Sequence, residues 1–263
     1  MIIDFHTHIF PQHLAERSIK QLSTAAKLTP TTNGTLDDLR ETSKDAGIDI
    51  CVVQNIATNA KQTINVNNFA ISQLDEEGII PFGSIHPDFE DWLEELKRLK
   101  VAGIKGIKLH PDYQVFFVDE NRMFPIYEAI RDLGLILQFH SGLDIGLPGD
   151  IHCTPDRVAK ILAEVPGQKL VAAHFGANEM WDDVLQLLAG KDVYIDTSFA
   201  ARRMNKDLLL KIIDKHGSEK ILFGSDSPWS DAKLDVELFK TLPINDHEKE
   251  GILSHSAQKL LNI

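Results

Sequence analysis

Eight short apolar segments alternating with amphipathic ones predict one domain over residues 1–263, an α/β fold of the (β/α)8 or TIM-barrel class. Two further observations favour the closed barrel. The segments are rich in Val, Ile and Leu along their whole length, as in a parallel sheet covered on both faces. The first also ends in His-Thr-His, where a doubly wound sheet usually carries a glycine-rich phosphate loop. A doubly wound open sheet is the second choice.

The opening run Met1-Ile-Ile-Asp-Phe-His-Thr-His8 reads as the first strand, and Ile9-Phe-Pro-Gln12 interrupts it before a helix that lasts to about Leu28. A loop over residues 29–34 follows, and Thr35 is placed to cap a helix that Gly47 ends. The second strand spans residues 48–55. A helix over 63–77 leads to a strand over 79–86, and a helix over 88–102 leads to a strand over 104–110. After a loop over 111–120, helix 122–133 precedes strand 135–140, and glycines mark an irregular loop over 141–150. Thr154-Pro155 starts the next helix. Strand 169–174, helix 178–189, strand 193–197, helix 206–216 and strand 220–226 complete the alternation, with helical segments near 234–241 and 246–261 at the end.

Composition excludes several function classes. With 43% apolar and 25% charged residues the chain is an ordinary soluble one, and a net charge of -12 argues against a nucleic-acid backbone as partner. Cys51 and Cys153 offer neither a disulfide framework nor a cysteine zinc site, so a reducing cytoplasm is expected. The first strand leaves no room for a signal peptide, and no apolar run reaches about 18 residues. No membrane association is expected.

In such a barrel the C-terminal strand ends converge on one mouth, where catalytic groups sit. Those ends carry His6 and His8, Asn55, His86, Lys108 and His110, His140, His174, residues 196–198 and Asp226, so six of the 11 histidines fall there. Chance would not concentrate them so. Side chains two apart on a strand point the same way, so His6 and His8 can hold one cation with two imidazoles. His86 and His110 each precede a proline and have turn formation as a simpler reading. His140 and His174 end apolar strands, where a bulky polar ring is poor packing filler. Asp226 ends a buried strand with a carboxylate, which wants a cation. Three histidines and one carboxylate suit zinc, manganese or iron(II), which lower the pKa of a bound water to about 7. Asp226 then accepts that water's proton, while His174 polarises a carbonyl or shuttles the proton.

The phrases Ile3-Asp-Phe-His-Thr-His-Ile-Phe-Pro11, Gly106-Ile-Lys-Leu-His-Pro111 and Phe223-Gly-Ser-Asp-Ser-Pro-Trp229, with Ile252-Leu-Ser-His-Ser-Ala-Gln-Lys-Leu260 near the end, resemble the amidohydrolase superfamily. The likeness is to its amidohydrolase-related branch of hydrolases and aminocarboxymuconate-semialdehyde-type decarboxylases. It implies one divalent metal on His6, His8, His140 and Asp226, with zinc first and manganese or iron(II) as alternatives. It implies acid-base work for His174. Lys108 is expected as a lysine near a substrate carboxylate, a carbamylated Lys108 holding a second metal being the lesser option. A homodimer is an expected assembly, since dimers are common in the branch.

His110, Arg202 and Trp229 join Lys108 as expected substrate-binding residues, although the adjacent Arg202 and Arg203 also suit a solvated surface. The main expectation is hydrolysis of a C–N or C–O bond in a small molecule; non-oxidative decarboxylation of a small carboxylate is the alternative. A barrel that binds a ligand without turnover is the non-enzymatic one. Phosphoesterases of the polymerase and histidinol phosphatase type lack support because Ile9-Phe-Pro-Gln12 replaces their Ser/Asp-Asp-Gly segment. The superfamily's metal-dependent DNases carry a glutamate where residues 108–110 lie.

Overall fold

Eight parallel strands form in the expected order: β1 (Ile3–Thr7), β2 (Ile50–Gln54), β3 (Ile79–Phe82), β4 (Gly106–Leu109), β5 (Ile136–Phe139), β6 (Leu170–Ala172), β7 (Tyr194–Asp196) and β8 (Ile221–Leu222). The computed structural model describes all 263 residues. Regular pairing runs β1-β2-β3 and β4-β5-β6-β7-β8, and two seams join these arcs. At the first, Gly83 pairs with Ile107, and Lys108 N donates to Gly83 O at 2.8 Å. At the second, the chain beyond β8 runs beside β1: Phe5 N donates to Phe223 O, Asp226 N to His6 O and His8 N to Ser227 O, at 2.7 to 2.8 Å. The sheet therefore closes into the barrel.

Helices α1 (Gln12–Ala26), α2 (Leu36–Ala46), α3 (Thr63–Ile71) and α4 (Trp92–Ala102) follow the first strands. The rest are α5 (Pro111–Gln114), α6 (Phe124–Asp132), α7 (Pro155–Glu164), α8 (Trp181–Leu187), α9 (Lys206–His216), α10 (Ala232–Thr241), α11 (Asp246–Glu250) and α12 (Ser256–Leu261). Thr35 caps α2 by accepting from Asp38 N, and Gly47 ends it in the left-handed region, as its sequence requires. Several elements are shorter than expected: α3 stops at Ile71 instead of residue 77, β3 at Phe82 instead of 86, and α4 starts at Trp92 instead of 88. The loop after β4 contains α5, capped by the His110 ring, which accepts from Tyr113 N. Helix α8 starts at Trp181 rather than 178 because Glu179 takes a left-handed backbone angle, φ 59°, which a right-handed helix cannot include. Strand β8 ends at Leu222, since residues 223–227 hydrogen-bond as irregular chain.

The larger apolar core lies between the strands and the helix layer. A smaller one fills the bottom of the barrel: Ile3, Phe5, Val52, Phe82, Ile136, Val171 and Leu222 meet Ala257, Leu260 and Leu261 of α12, which plugs that end. Two residues further along their strands, the positions above Val52, Gly106, Ile136 and Tyr194 are Gln54, Lys108, Gln138 and Asp196. The strand period of two thus stacks a polar layer on the apolar one.

Candidate metal centre

In a regular strand His6 and His8 would face away from Ile3 and Phe5, outside the barrel. A β-bulge prevents this. Asp4 pairs with Cys51 and Thr7 with Val53, so three steps on β1 match two on β2 and the extra residue returns His6 to the interior. Asp4 secures the bend by accepting from His6 N at 3.1 Å and from Ser225 N at 2.9 Å. Burial, only partly offset by these bonds, raises its carboxyl to about 7. Gly224 makes the crossing possible, because a Cβ there would lie 2.9 Å from His6 Cβ.

His6 Nδ1 lies 2.9 Å from Asp196 Oδ2. A carboxylate only accepts, so Nδ1 carries the proton and Nε2 presents its lone pair. Nε2 stands 3.3 Å from Lys108 Nζ and 3.4 Å from Asp226 Oδ1. His8 repeats the pattern: Nδ1 donates to Gln54 O at 3.0 Å, which leaves Nε2 facing Asp226 Oδ1 at 3.2 Å. One donor atom from each of His6, His8 and Asp226 falls within a 4.8 Å group. This set, with both tautomers fixed from behind, fits a divalent cation.

Burial first, and the Lys108 charge second, lower His6 to about 3, so its imidazole is neutral as a metal requires. Burial also lowers Lys108 to about 8, against the pull of Asp196 and Asp226. For Asp196 and Asp226 burial acts upward, but neighbouring histidines outweigh it and hold both carboxyls below their usual range. Asp226 and His174 take left-handed backbone angles, φ 68° and 60°, as does Phe175. Such strain in residues with side chains concentrates at functional sites.

His140 lies outside the group made by His6, His8 and Asp226, so the structure brings together three of the four expected donors. Its Nδ1 stands 2.8 Å from His174 Nε2, and the His174 ring centroid is 5.2 Å from that of His6. His174 Nδ1 donates to Ser198 O at 3.1 Å. His140 Nε2 is buried without a hydrogen-bond partner, 4.0 Å from both Asp112 Oδ2 and Asp144 Oδ2. A proton on Nε2 would face these carboxylates and free Nδ1 as a fourth donor. Among the other expected residues, His110 stacks on His140 at 4.0 Å and points Nε2 at Asp144 Oδ2, 3.0 Å away. Trp229 also lines the cavity, as does Asn55.

Arg202 is a correction to the sequence reading. Its guanidinium is bound to Asp235 Oδ1 of α10 at 2.7 Å and to Ser230 Oγ at 2.9 Å, and it does not line the cavity. The acidic partner on α10 captures it. His86 is likewise outside, its ring accepting from Asp88 N in a turn. Asp196, Ser198, Gln138 and Asp4 support the site without having been singled out as site residues. The signal for Asp196 was a carboxylate ending an apolar strand, the same one that marked Asp226. Above the donors a cavity of about 690 Å³ opens toward the mouth.

The whole chain, residues 3–263, matches the family model described as Amidohydrolase. Among solved structures, 5-carboxyvanillate decarboxylase from Sphingomonas paucimobilis is similar with TM-score 0.72 and 14% identity, over 100% of this chain and 99% of that one. A dihydroxybenzoic acid decarboxylase from Polaromonas sp. JS666, with bound manganese and 2-nitroresorcinol, has TM-score 0.71 and 14% identity over 99% and 96%. An uncharacterized TIM-barrel protein from Bordetella bronchiseptica has TM-score 0.78 and 20% identity over 99% and 98%. No curated protein sequence matches the chain. No helix is long and apolar enough to cross a membrane.

Proposed function

The chain belongs to the amidohydrolase family, and from that premise we propose a metal-dependent lyase that removes CO2 from a small aromatic carboxylate without an oxidant. The observation that carries this choice over hydrolysis is Lys108. It is 1% exposed, and it is the only lysine or arginine lining the cavity, with Nζ beside His6 Nε2. A neutral amide, ester or lactone has no need of a buried ammonium, whereas a desolvated carboxylate does. The decarboxylases that share the fold support the same reading.

In this reading His6, His8, His140 and Asp226 hold one divalent ion, manganese being the one a similar structure carries. When bound, it supplies a Lewis acid for a substrate oxygen. Lys108 pairs with the carboxylate and orients it. The apolar walls exclude water, which strengthens that pairing. As the C–C bond breaks, its electron pair stays on the ring carbon, CO2 leaves, and the carbon takes one proton. His174, having first taken a proton from solvent at Nε2, gives it to the carbon from that atom, while its Nδ1–H stays on Ser198 O and fixes the ring. One C–H bond replaces one C–C bond, and each turnover consumes one proton.

The test incubates manganese-loaded protein with hydroxylated benzoates and, separately, with aryl amides and lactones. Release of CO2 with the decarboxylated phenol is the expected result. Cleavage of amides or lactones, with every benzoate left intact, would return the assignment to hydrolysis.

A further inference from the structure

The cavity has room for more than a single-ring acid. A void of about 150 Å³ accommodates one benzene ring, and this cavity holds about 690 Å³. Its upper wall is built by two helices. Helix α1 buries only Ala15 and Ile19 among its residues, while Leu14, Ser18, Gln21 and Leu22 form a separate face toward the cavity. Leu14 is 42% exposed. Across from it α3 contributes Val66 and Phe69, and Trp229 completes the apolar part. The end of α1 meets the loop after β5, where a Cβ on Gly146 would lie 3.6 Å from Ala26 Cβ, so the two roof part of the mouth.

Charge narrows the occupant further. Lys108 is at the floor, and the wall above it offers neutral groups such as Gln21, Gln62 and Asn65 but no second lysine or arginine. A second carboxylate or a phosphate would find no counter-ion on that wall and would share the cavity with the Asp144 and Asp226 carboxylates.

We propose that the substrate is a monoanionic acid whose carboxylate-bearing ring continues into a second ring or equivalent apolar body, seated between α1 and α3, with any distal polar groups uncharged. The decarboxylase reading enters only in setting which end is down, with the carboxylate at Lys108. Leu14, Leu22, Val66 and Phe69 then determine specificity by covering the distal body.

The test compares salicylate with 5-phenylsalicylate on the manganese-loaded full chain, measuring Kd by calorimetry and CO2 release separately. The two-ring acid is expected to bind at least about tenfold more tightly, from the apolar area that the second ring buries. Leu14→Ser and Val66→Ser should narrow that ratio without lowering Tm, and a carboxylate added to the distal ring should abolish the gain. Equal or weaker binding of 5-phenylsalicylate overturns the proposal, as does a ratio that neither variant changes. If neither acid releases CO2 but the two-ring acid still binds more tightly, the decarboxylase reading fails and the substrate shape stands. If salicylate is decarboxylated while 5-phenylsalicylate is excluded, the reverse holds.

Discussion

Asp196 accepts from five donors: His174 N, Ser198 N and Ser198 Oγ on one oxygen, and His6 Nδ1 and Gln138 Nε2 on the other. It thereby fixes both the His6 tautomer and the backbone that carries His174. Asp196→Asn puts an amide where Nδ1–H needs an acceptor, and metal affinity should fall by about 10- to 100-fold, as outer-sphere changes usually cause; competition with a chelating dye measures this. An unchanged affinity would detach Asp196 from the centre. Lys108→Met should raise KM for carboxylates by about 10- to 100-fold, the worth of a charged hydrogen bond. Because burial brings the ammonium down to about 8, carboxylate binding should also weaken as pH rises through that value. The sign for stability is opposite: above about 8 the folded chain releases this proton while an unfolded lysine keeps it to about 10.4, so Lys108 opposes folding at neutral pH and less so as pH climbs. Burial likewise pushes the Cys51 and Cys153 thiols up to about 12. A thiol reagent at pH 8 should label neither until the protein is unfolded; rapid labelling of the native chain would contradict their burial.

Among the elements, β1 and the loop after β5 do most to position the site. The histidine pair was legible in the sequence because strand spacing makes His6 and His8 neighbours, and their rings are 5.1 Å apart. Which face they occupy was not legible, because the bulge depends on Asp4 meeting Ser225, a residue 221 positions away. The loop after β5 turns at Gly142, where φ is +81° and a Cβ would lie 2.1 Å from Asn178 N. Gly142→Ala should therefore destabilise the protein by about 2 kcal/mol or more and displace His140, read as a lowered denaturant midpoint together with weaker metal binding. A neutral outcome would mean the loop can shift without loss. The threonine start and glycine stop of α2 were readable because capping is local chemistry, whereas the start of α8 was set by a left-handed turn at Glu179 that no local signal marks.

For the whole molecule, the proposed ligands join the first and last strands of the barrel. His6 and His8 leave β1, and Asp226 follows β8, so the candidate ion lies against the second seam of the barrel. An ion held there should stabilise the fold by mass action and raise Tm by several degrees over chelator-treated protein, with added amide protection at Phe5 and His8, whose N–H groups cross that seam. The same Tm with and without metal would remove the ion from this position. The opposite end rests on α12, and Leu260→Ala should cost about 2 to 5 kcal/mol, since its side chain closes the apolar floor.

The alternation of strand and helix, the convergence of polar strand ends and the acids and imidazoles able to serve there all followed from residue order, because periodicity, capping and barrel geometry are repeated local rules. Tertiary structure alone decided that His6 turns inward, that His140 stands one imidazole away from the other three donors, and that Arg202 belongs to Asp235 instead of the cavity. Each of those outcomes depends on a partner remote in the chain, and which long-range hydrogen bond or ion pair wins is settled only when the barrel closes and water leaves the contact.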